Sequence, residues 1–128
     1  MRFFVTILSY NERIISMEIK GEQYIVTYDK EKETIAFQGI FRLLDMKAYD
    51  PIIKLLQTVA ERHPPLIYLD LKELSFLNSS GFHVISKFVI HIRDLKKSQL
   101  IIKGANDLPW KNSLINLKRL MPEIIFEE

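Results

Sequence analysis

Short runs of apolar residues alternate with polar ones along the first third of the chain. Three such runs are rich in β-branched and aromatic residues, and they span residues 13–19, 22–29 and 33–41. A period of two residues places alternate side chains on opposite faces of a strand, and the short polar segments between the runs are typical of turns. The pattern predicts antiparallel strands joined by short hairpins.

The hydrophobic period changes to three and four residues from about Asp45 onward. This spacing predicts a helix that Asp45 caps, that tolerates Pro51 only near its start, and that ends at the His-Pro-Pro sequence of residues 63–65. The apolar positions of this helix are Met46, Tyr49, Ile53, Leu56, Val59 and Ala60.

The second half of the chain alternates strand and helix patterns. Residues 66–71 are almost all apolar, which predicts a strand covered on both faces at the centre of a sheet. Residues 99–104 predict the next buried strand, and residues 123–128 predict an edge strand or a frayed tail. A helix lies between the two buried strands, with apolar positions at Phe82, Ile85, Phe88, Val89, Ile92 and Leu95.

A last helix is predicted before the C-terminal segment. Asp107 is placed to cap this helix, and Pro109 is placed in its first turn, where proline is tolerated. Its apolar positions are Trp110, Leu114, Leu117 and Leu120. Strands followed by alternating helices and strands predict an α/β fold, in which a mixed sheet is connected by crossover helices.

Composition limits the class of protein. The 128 residues are 48% hydrophobic, which is enough for one domain spanning residues 1–128 to bury a core. The absence of cysteine excludes disulfides, thiol catalysis and cysteine zinc sites. Charged residues interrupt every apolar run before the ~18–20 residues that cross a bilayer, and the apolar N-terminal run is too short for a signal peptide. We therefore expect a cytoplasmic protein without a membrane partner.

The charge is unevenly distributed, although the net charge is only +2. Residues 87–119 contain eight Lys or Arg against two Asp, a surplus of six positive charges. A basic surface can attract phosphates or acidic partners. These residues are spread over three predicted elements, which favours solvated helix faces and strand ends, and we expect no nucleic-acid partner.

One polar tetrapeptide interrupts the apolar pattern at a position that often carries function. Asn78, Ser79, Ser80 and Gly81 stand between a central strand and the helix that follows it. Free backbone N–H groups and the helix dipole make the start of such a helix a common binding site in α/β proteins. The tetrapeptide taken alone is also explained as a helix cap with a glycine that permits close packing.

The longer segment DLKELSFLNSSGFHVI, residues 70–85, resembles the signature of the STAS domain, the fold of bacterial anti-sigma-factor antagonists. A short glycine motif at residues 37–41 and the order of elements from about residue 22 support the resemblance. The first ~20 residues lie outside it. The positions that match are Asp70, Leu71, Leu74, Phe76, Leu77, Asn78, Ser79, Ser80, Gly81 and Phe82.

The resemblance implies a fold and a function. The fold is an α/β STAS mixed β-sheet with crossover helices packed mainly on one face, here with an extra N-terminal strand within residues 1–20. In such antagonists an anti-sigma-type serine/threonine kinase phosphorylates a hydroxyl of the motif, and a PP2C-type, metal-dependent phosphatase restores it. The bare antagonist binds the kinase and thereby releases the sigma factor.

Carried over to this chain, the resemblance makes Ser80 the expected phosphoacceptor, with Ser79 as second choice. The implied partner-binding surface comprises Asn78, Ser79, Ser80, Gly81, Phe82, His83 and Asn106. The commonest form of the motif has an acid where this chain has Asn78, so a kinase or partner that needs that carboxylate would not find it.

Two other functions remain open at this point. One is a STAS module that binds a protein or a small ligand constitutively through residues 78–81, without phosphorylation. The other is a small enzyme that uses Ser80 and His83, but the chain lacks the G-x-S-x-G sequence of a nucleophile elbow. His63 and His91 have no metal-ligand company in the sequence. We expect no enzymatic activity, no metal, no cofactor, and a monomer or weak homodimer.

Overall fold

The computed structural model describes residues 3–10, 13–105 and 111–128. These residues form eight strands, and seven of them run through one sheet in the order β1-β2-β3-β4-β5-β7-β8. The first four strands are antiparallel neighbours, whereas β4, β5, β7 and β8 are parallel. The strands are β1 (Phe4–Tyr10), β2 (Arg13–Lys20), β3 (Tyr24–Asp29), β4 (Thr34–Phe41), β5 (Leu66–Asp70), β6 (Leu74–Leu77), β7 (Gln99–Lys103) and β8 (Ile125–Glu127).

The helices connect the parallel strands. Helix α1 (Asp50–Glu61) lies between β4 and β5, α2 (Ser79–Leu95) leads from β6 to β7, and α3 (Lys111–Ile115) precedes a 3-10 turn at Asn116–Arg119 before β8. Right-handed crossovers between strands that follow one another across a sheet bring their helices to the same face. Crossover helices on one face of a mixed sheet are the arrangement that the resemblance implies.

Burial separates the two faces of the sheet. Ile19, Val26 and Phe37 are cross-strand neighbours on β2, β3 and β4, and all three are fully buried in the core beneath the helices. Their counterparts on the other face include Gln38, which is exposed. This difference follows from the period of two residues, because the helices cover only one set of alternate side chains.

The helix expected from Asp45 is divided in two. Asp45 caps a 3-10 turn at Met46–Tyr49 through its carboxylate, which accepts from the Ala48 N–H at 2.9 Å. The α-helix begins only at Asp50. Pro51 has no N–H to donate to the Lys47 carbonyl, and the Asp50 N–H donates to that carbonyl instead.

Strand β4 changes partner halfway along, and this change positions the site described below. Its first residues pair with β5, while Gly39 and the two residues after it pair with the short strand β6. The sequence analysis did not predict β6. Gly39 has φ +95° and its N–H donates to the Glu73 carbonyl at 3.0 Å, so the backbone bends at a position where a side chain would be strained.

Strands form near both ends of the chain, as expected from the sequence. The extra N-terminal strand is confirmed as β1, which pairs with β2, so residues 1–20 contribute two strands. The C-terminal segment forms an edge strand, β8, beside β7. Asn106, Asp107, Pro109 and Trp110 lie outside the described residues.

Gly39→Ala is expected to lower the free energy of unfolding by about 2–4 kcal/mol, because the new methyl group would meet the Gln23 carbonyl oxygen at a left-handed φ. Urea denaturation measures this change. Gln38→Ala is the control, since Gln38 is exposed on the same strand, and it is expected to change stability by less than about 0.5 kcal/mol. Equal effects of the two substitutions would contradict this role of Gly39.

Candidate functional site

The side chain of Asn78 joins three segments of the chain at the end of β6. Its Oδ1 atom accepts from the Gly81 N–H at 2.9 Å and from the Tyr49 hydroxyl at 2.7 Å. Its Nδ2 group donates to the Leu43 carbonyl at 2.8 Å. The backbone N–H of Asn78 donates to the Phe41 carbonyl at 2.9 Å, which continues the pairing of β6 with β4.

These bonds explain why an amide suits position 78. A carboxylate could accept from Gly81 and Tyr49, but it would offer no donor to the Leu43 carbonyl at neutral pH. Asn78 therefore caps α2 and also fixes the loop between β4 and the 3-10 turn. Within the tetrapeptide that was expected to cap the helix, Asn78 is the residue that forms the cap.

Tyr49 supports this arrangement from beneath. The ring is 1% exposed, and burial raises the pKa of the Tyr49 hydroxyl, which therefore remains a donor at neutral pH. A Cβ atom on Gly81 would lie 2.8 Å from that hydroxyl and 2.5 Å from Leu77 Cδ1. Gly81 thus allows the first turn of α2 to lie directly against Tyr49.

Ser79 and Ser80 occupy the first turn of α2, immediately after the cap. Ser79 is exposed and Ser80 is half-buried. Among the described residues, neither serine side chain forms a hydrogen bond. The first N–H groups of a helix have no acceptor within the helix, so the two hydroxyls stand beside backbone donors at the positive end of the helix dipole.

Exposed apolar side chains lie on segments that adjoin this turn. Leu44 directly follows Leu43, whose carbonyl accepts a hydrogen bond from the Asn78 side chain, and Leu44 is 90% exposed. Phe76 on β6 is 39% exposed, and the guanidinium carbon of Arg42 lies 5.0 Å from the centre of its ring. On α3, Ile115 is also exposed. Larger exposed apolar patches, especially those rimmed by polar residues, are a feature of surfaces that bind proteins.

A shallow depression of about 230 Å³ adjoins the serines. Leu77, Asn78, Ser79, Phe82 and Ser113 line it. Ser113 belongs to α3, so the depression lies between the starts of two helices. The structure therefore brings together the predicted residues from Asn78 to Phe82 and adds Ser113, while Asn106 lies outside the described residues.

His83 is exposed in the second turn of α2. Within the described residues it has neither a hydrogen bond nor an ion pair, so no described carboxylate orients it as a base for Ser80. His91 has its Nε2 atom 3.7 Å from Glu61 Oε1, a distance too long for a hydrogen bond. Across the described part of the chain, no group of three or more His, Cys, Asp or Glu is arranged to hold a metal ion.

Several residues of this site were not predicted from the sequence. Tyr49 was expected only as an apolar helix position, and Leu43, Leu44 and Ser113 were not considered. One signal was available in the sequence, because Leu43 and Leu44 are two apolar residues in the short connection directly before the Asp45 cap. The partnership of Tyr49 with Asn78 spans 29 positions of the chain, and no local pattern indicates it.

Comparisons with known proteins show the fold. No family model matches the sequence, and no curated protein matches it. The structure of the Bacillus cell fate determinant SpoIIAA in its phosphorylated form is similar, with a TM-score of 0.53 and 19% identity over 80% of this chain and 89% of that one. An anti-sigma factor antagonist from Mycobacterium paratuberculosis has a TM-score of 0.51 and 13% identity over 97% and 86% of the two chains.

This likeness confirms the expected STAS-like, anti-sigma-factor-antagonist fold. The two similar structures carry the names of a cell fate determinant and an anti-sigma factor antagonist, which are not names of enzymes. Within its described residues the chain has no helix that is both long and apolar enough to span a membrane.

Asn78→Ala is expected to lower the free energy of unfolding by roughly 2–4 kcal/mol. The substitution removes the cap of α2 and leaves the Tyr49 hydroxyl and the Leu43 carbonyl without their partner. Tyr49→Phe is the matched variant and is expected to cost about 1 kcal/mol, since it removes one bond while Asn78 keeps the other two. Urea denaturation of both variants checks the order, and a smaller cost for Asn78→Ala would refute it.

Proposed function

We propose that this protein is a phosphorylation-controlled partner-switching regulator of the anti-sigma-factor-antagonist kind. One observation carries the proposal. Asn78 caps α2 with its own side chain, so neither Ser79 nor Ser80 is needed to hold the helix. Neither hydroxyl is committed to a hydrogen bond among the described residues, so a modification of either can change binding without removing the cap.

The start of α2 suits a phosphate. A phosphoserine adds roughly −1.5 to −2 charges and three acceptor oxygens. The dipole of the 17-residue helix α2 and the N–H groups of its first turn favour negative charge at this end. Asn78 is neutral, so the residue next to the serines adds no repulsion. Phosphorylation is expected to leave the fold intact and to change only the surface.

Exposure decides which serine is proposed first. The resemblance favoured Ser80, with Ser79 as second choice. Ser79 is exposed and lines the depression beside α3, whereas Ser80 is half-buried. A kinase must reach the hydroxyl oxygen directly, so accessibility favours Ser79 as the phosphoacceptor and leaves Ser80 as the alternative.

The proposed partners are an anti-sigma-type serine/threonine kinase, which binds the bare protein, and a PP2C-type phosphatase, which removes the phosphate. Leu44, Phe76 and Ile115 are exposed on segments that adjoin the serine turn, and we expect them to supply apolar contacts to a partner. A phosphate at the centre of such an interface would place two desolvated negative charges against an acidic group of the partner, a loss of about 2–5 kcal/mol.

Intact-mass and peptide analysis of the protein isolated from its own cells tests the modification. We expect one added phosphate on the peptide that contains residues 79 and 80. Ser79→Ala is expected to abolish the phosphate and Ser80→Ala to retain it. A phosphate that persists in Ser79→Ala but is lost in Ser80→Ala would return the assignment to Ser80. No phosphate under any growth condition would favour constitutive binding through the same surface.

Titration of the bare protein against the isolated anti-sigma-type kinases of its source tests the switch. Ser79→Asp is expected to weaken binding at least about 30-fold, because it places a charge in the interface. Ser75→Asp is the control for added charge, since Ser75 is exposed on β6 and lies outside the first turn of α2, and it is expected to change affinity by less than about threefold. Equal weakening by both variants would contradict a switch centred on Ser79.

A further inference from the structure

Strand β1 is an unprotected edge of the sheet. Among the described residues only β2 pairs with it, so its outer backbone groups are available to another strand. Protein edges are commonly blunted by short length, by proline or by charged residues. The seven residues of β1, Phe-Val-Thr-Ile-Leu-Ser-Tyr, include no proline and no charge. The opposite edge is the three-residue strand β8, which contains Glu127.

Both faces of β1 are apolar. Phe4 and Leu8 lie on the open face of the sheet and are 69% and 56% exposed. Val5 and Ile7 lie on the helix-covered face, opposite Ile19 and Met17 of β2, yet they are also exposed because the helical layer does not reach β1. A strand that is apolar on both faces usually has neighbours, because solvent stabilises neither face.

We propose that β1 pairs antiparallel with β1 of a second copy of this chain, with Thr6 at the two-fold axis. In residues 4–8, two apolar residues stand on each side of Thr6, so the segment has the same apolar pattern when it is read in either direction. In this register Phe4 faces Leu8 of the second copy, and Val5 faces its Ile7. Each apolar side chain thus meets another on the same face, and the central pair is Thr with Thr, a favourable cross-strand combination.

The interruption of the β1–β2 pairing is consistent with this register. The register shifts between Leu8 and Ser9, directly after the symmetric segment. Residues 4–8 therefore form the regular part of the edge, and the dimer uses all of it. An antiparallel pairing shifted by two residues would place Thr6 opposite Phe4 or Leu8 of the second copy.

Pairing adds contacts on both faces of the sheet and along the backbone. Phe3, Phe4, Val5, Ile7 and Leu8 are between 44% and 69% exposed. Cross-strand neighbours on the second copy would cover part of this apolar surface, while the outer backbone groups of the two β1 strands form hydrogen bonds with each other. The resulting dimer has one continuous sheet and leaves α2 and its serines uncovered.

Thr6→Lys tests the pairing without disturbing the hairpin. Thr6 is opposite Glu18 in β2, so a lysine gains an oppositely charged neighbour within its own chain. At the two-fold axis the same lysine faces a second lysine. Sedimentation velocity over a wide range of concentrations is expected to show dimers for the wild type and at least tenfold weaker association for Thr6→Lys. Gln38→Lys, an exposed site on the open face, is the control and is expected to dimerise like the wild type.

Cross-linking fixes the register. The chain contains no cysteine, so Thr6→Cys introduces a single thiol. Directly opposed residues of antiparallel strands lie within disulfide range, and mild oxidation is expected to convert most of this variant to a covalent dimer, with Gln38→Cys staying monomeric on a denaturing gel. A wild type that is monomeric at all concentrations, undiminished association of Thr6→Lys, or equal cross-linking of the two cysteine variants would overturn the proposal.

Discussion

The position of the candidate site depends on the four hydrogen bonds of Asn78. They connect the end of β4, the loop after it, the 3-10 turn and the first turn of α2. The partners Phe41, Leu43 and Tyr49 lie far from Asn78 in the sequence, whereas Gly81 lies three residues after it. Because a buried polar group without a partner costs about 1–3 kcal/mol, these bonds reinforce one another and hold the serine turn in one geometry.

Because the hydrogen bonds of Asn78 hold the start of α2, the residues that support this turn differ from the residues that it presents to a partner. Tyr49 and Gly81 are buried and hold the start of α2 in place. Ser79 and Leu44, in contrast, have their side chains exposed to solvent. A modification of Ser79 therefore acts on the surface presented to a partner, and the core need not move. The serine turn follows β6, which pairs with β4, and β4 is separated from the β1 edge by β2 and β3, so self-association and the serine turn use different parts of the molecule.

Much of the fold was predictable because its signals are local. In β2 to β4, and in α2, one face of each element is buried. Apolar residues therefore recur every second residue in the strands and every three or four residues in the helix, and both patterns are visible in the sequence. The division of the first helix was not predicted, although Pro51 explains it once the bond from Asp50 to Lys47 is seen. Strand β6 escaped prediction because its four residues pair only with the end of β4, and their apolar positions are not alternate.

The candidate site was predictable only in its linear part. The motif from Asn78 to Phe82 is contiguous, and the resemblance to a known signature located it. Tyr49 and Leu43 reach Asn78 across 29 and 35 positions, so only the folded chain reveals them. The central claim is that a phosphate at the start of α2 changes the surface and not the fold. Amide NMR of the bare protein and of protein synthesised with phosphoserine at position 79 tests it directly: we predict shifts confined to the α2 start and the segments that flank it, and changes throughout β5 and β7 would contradict it.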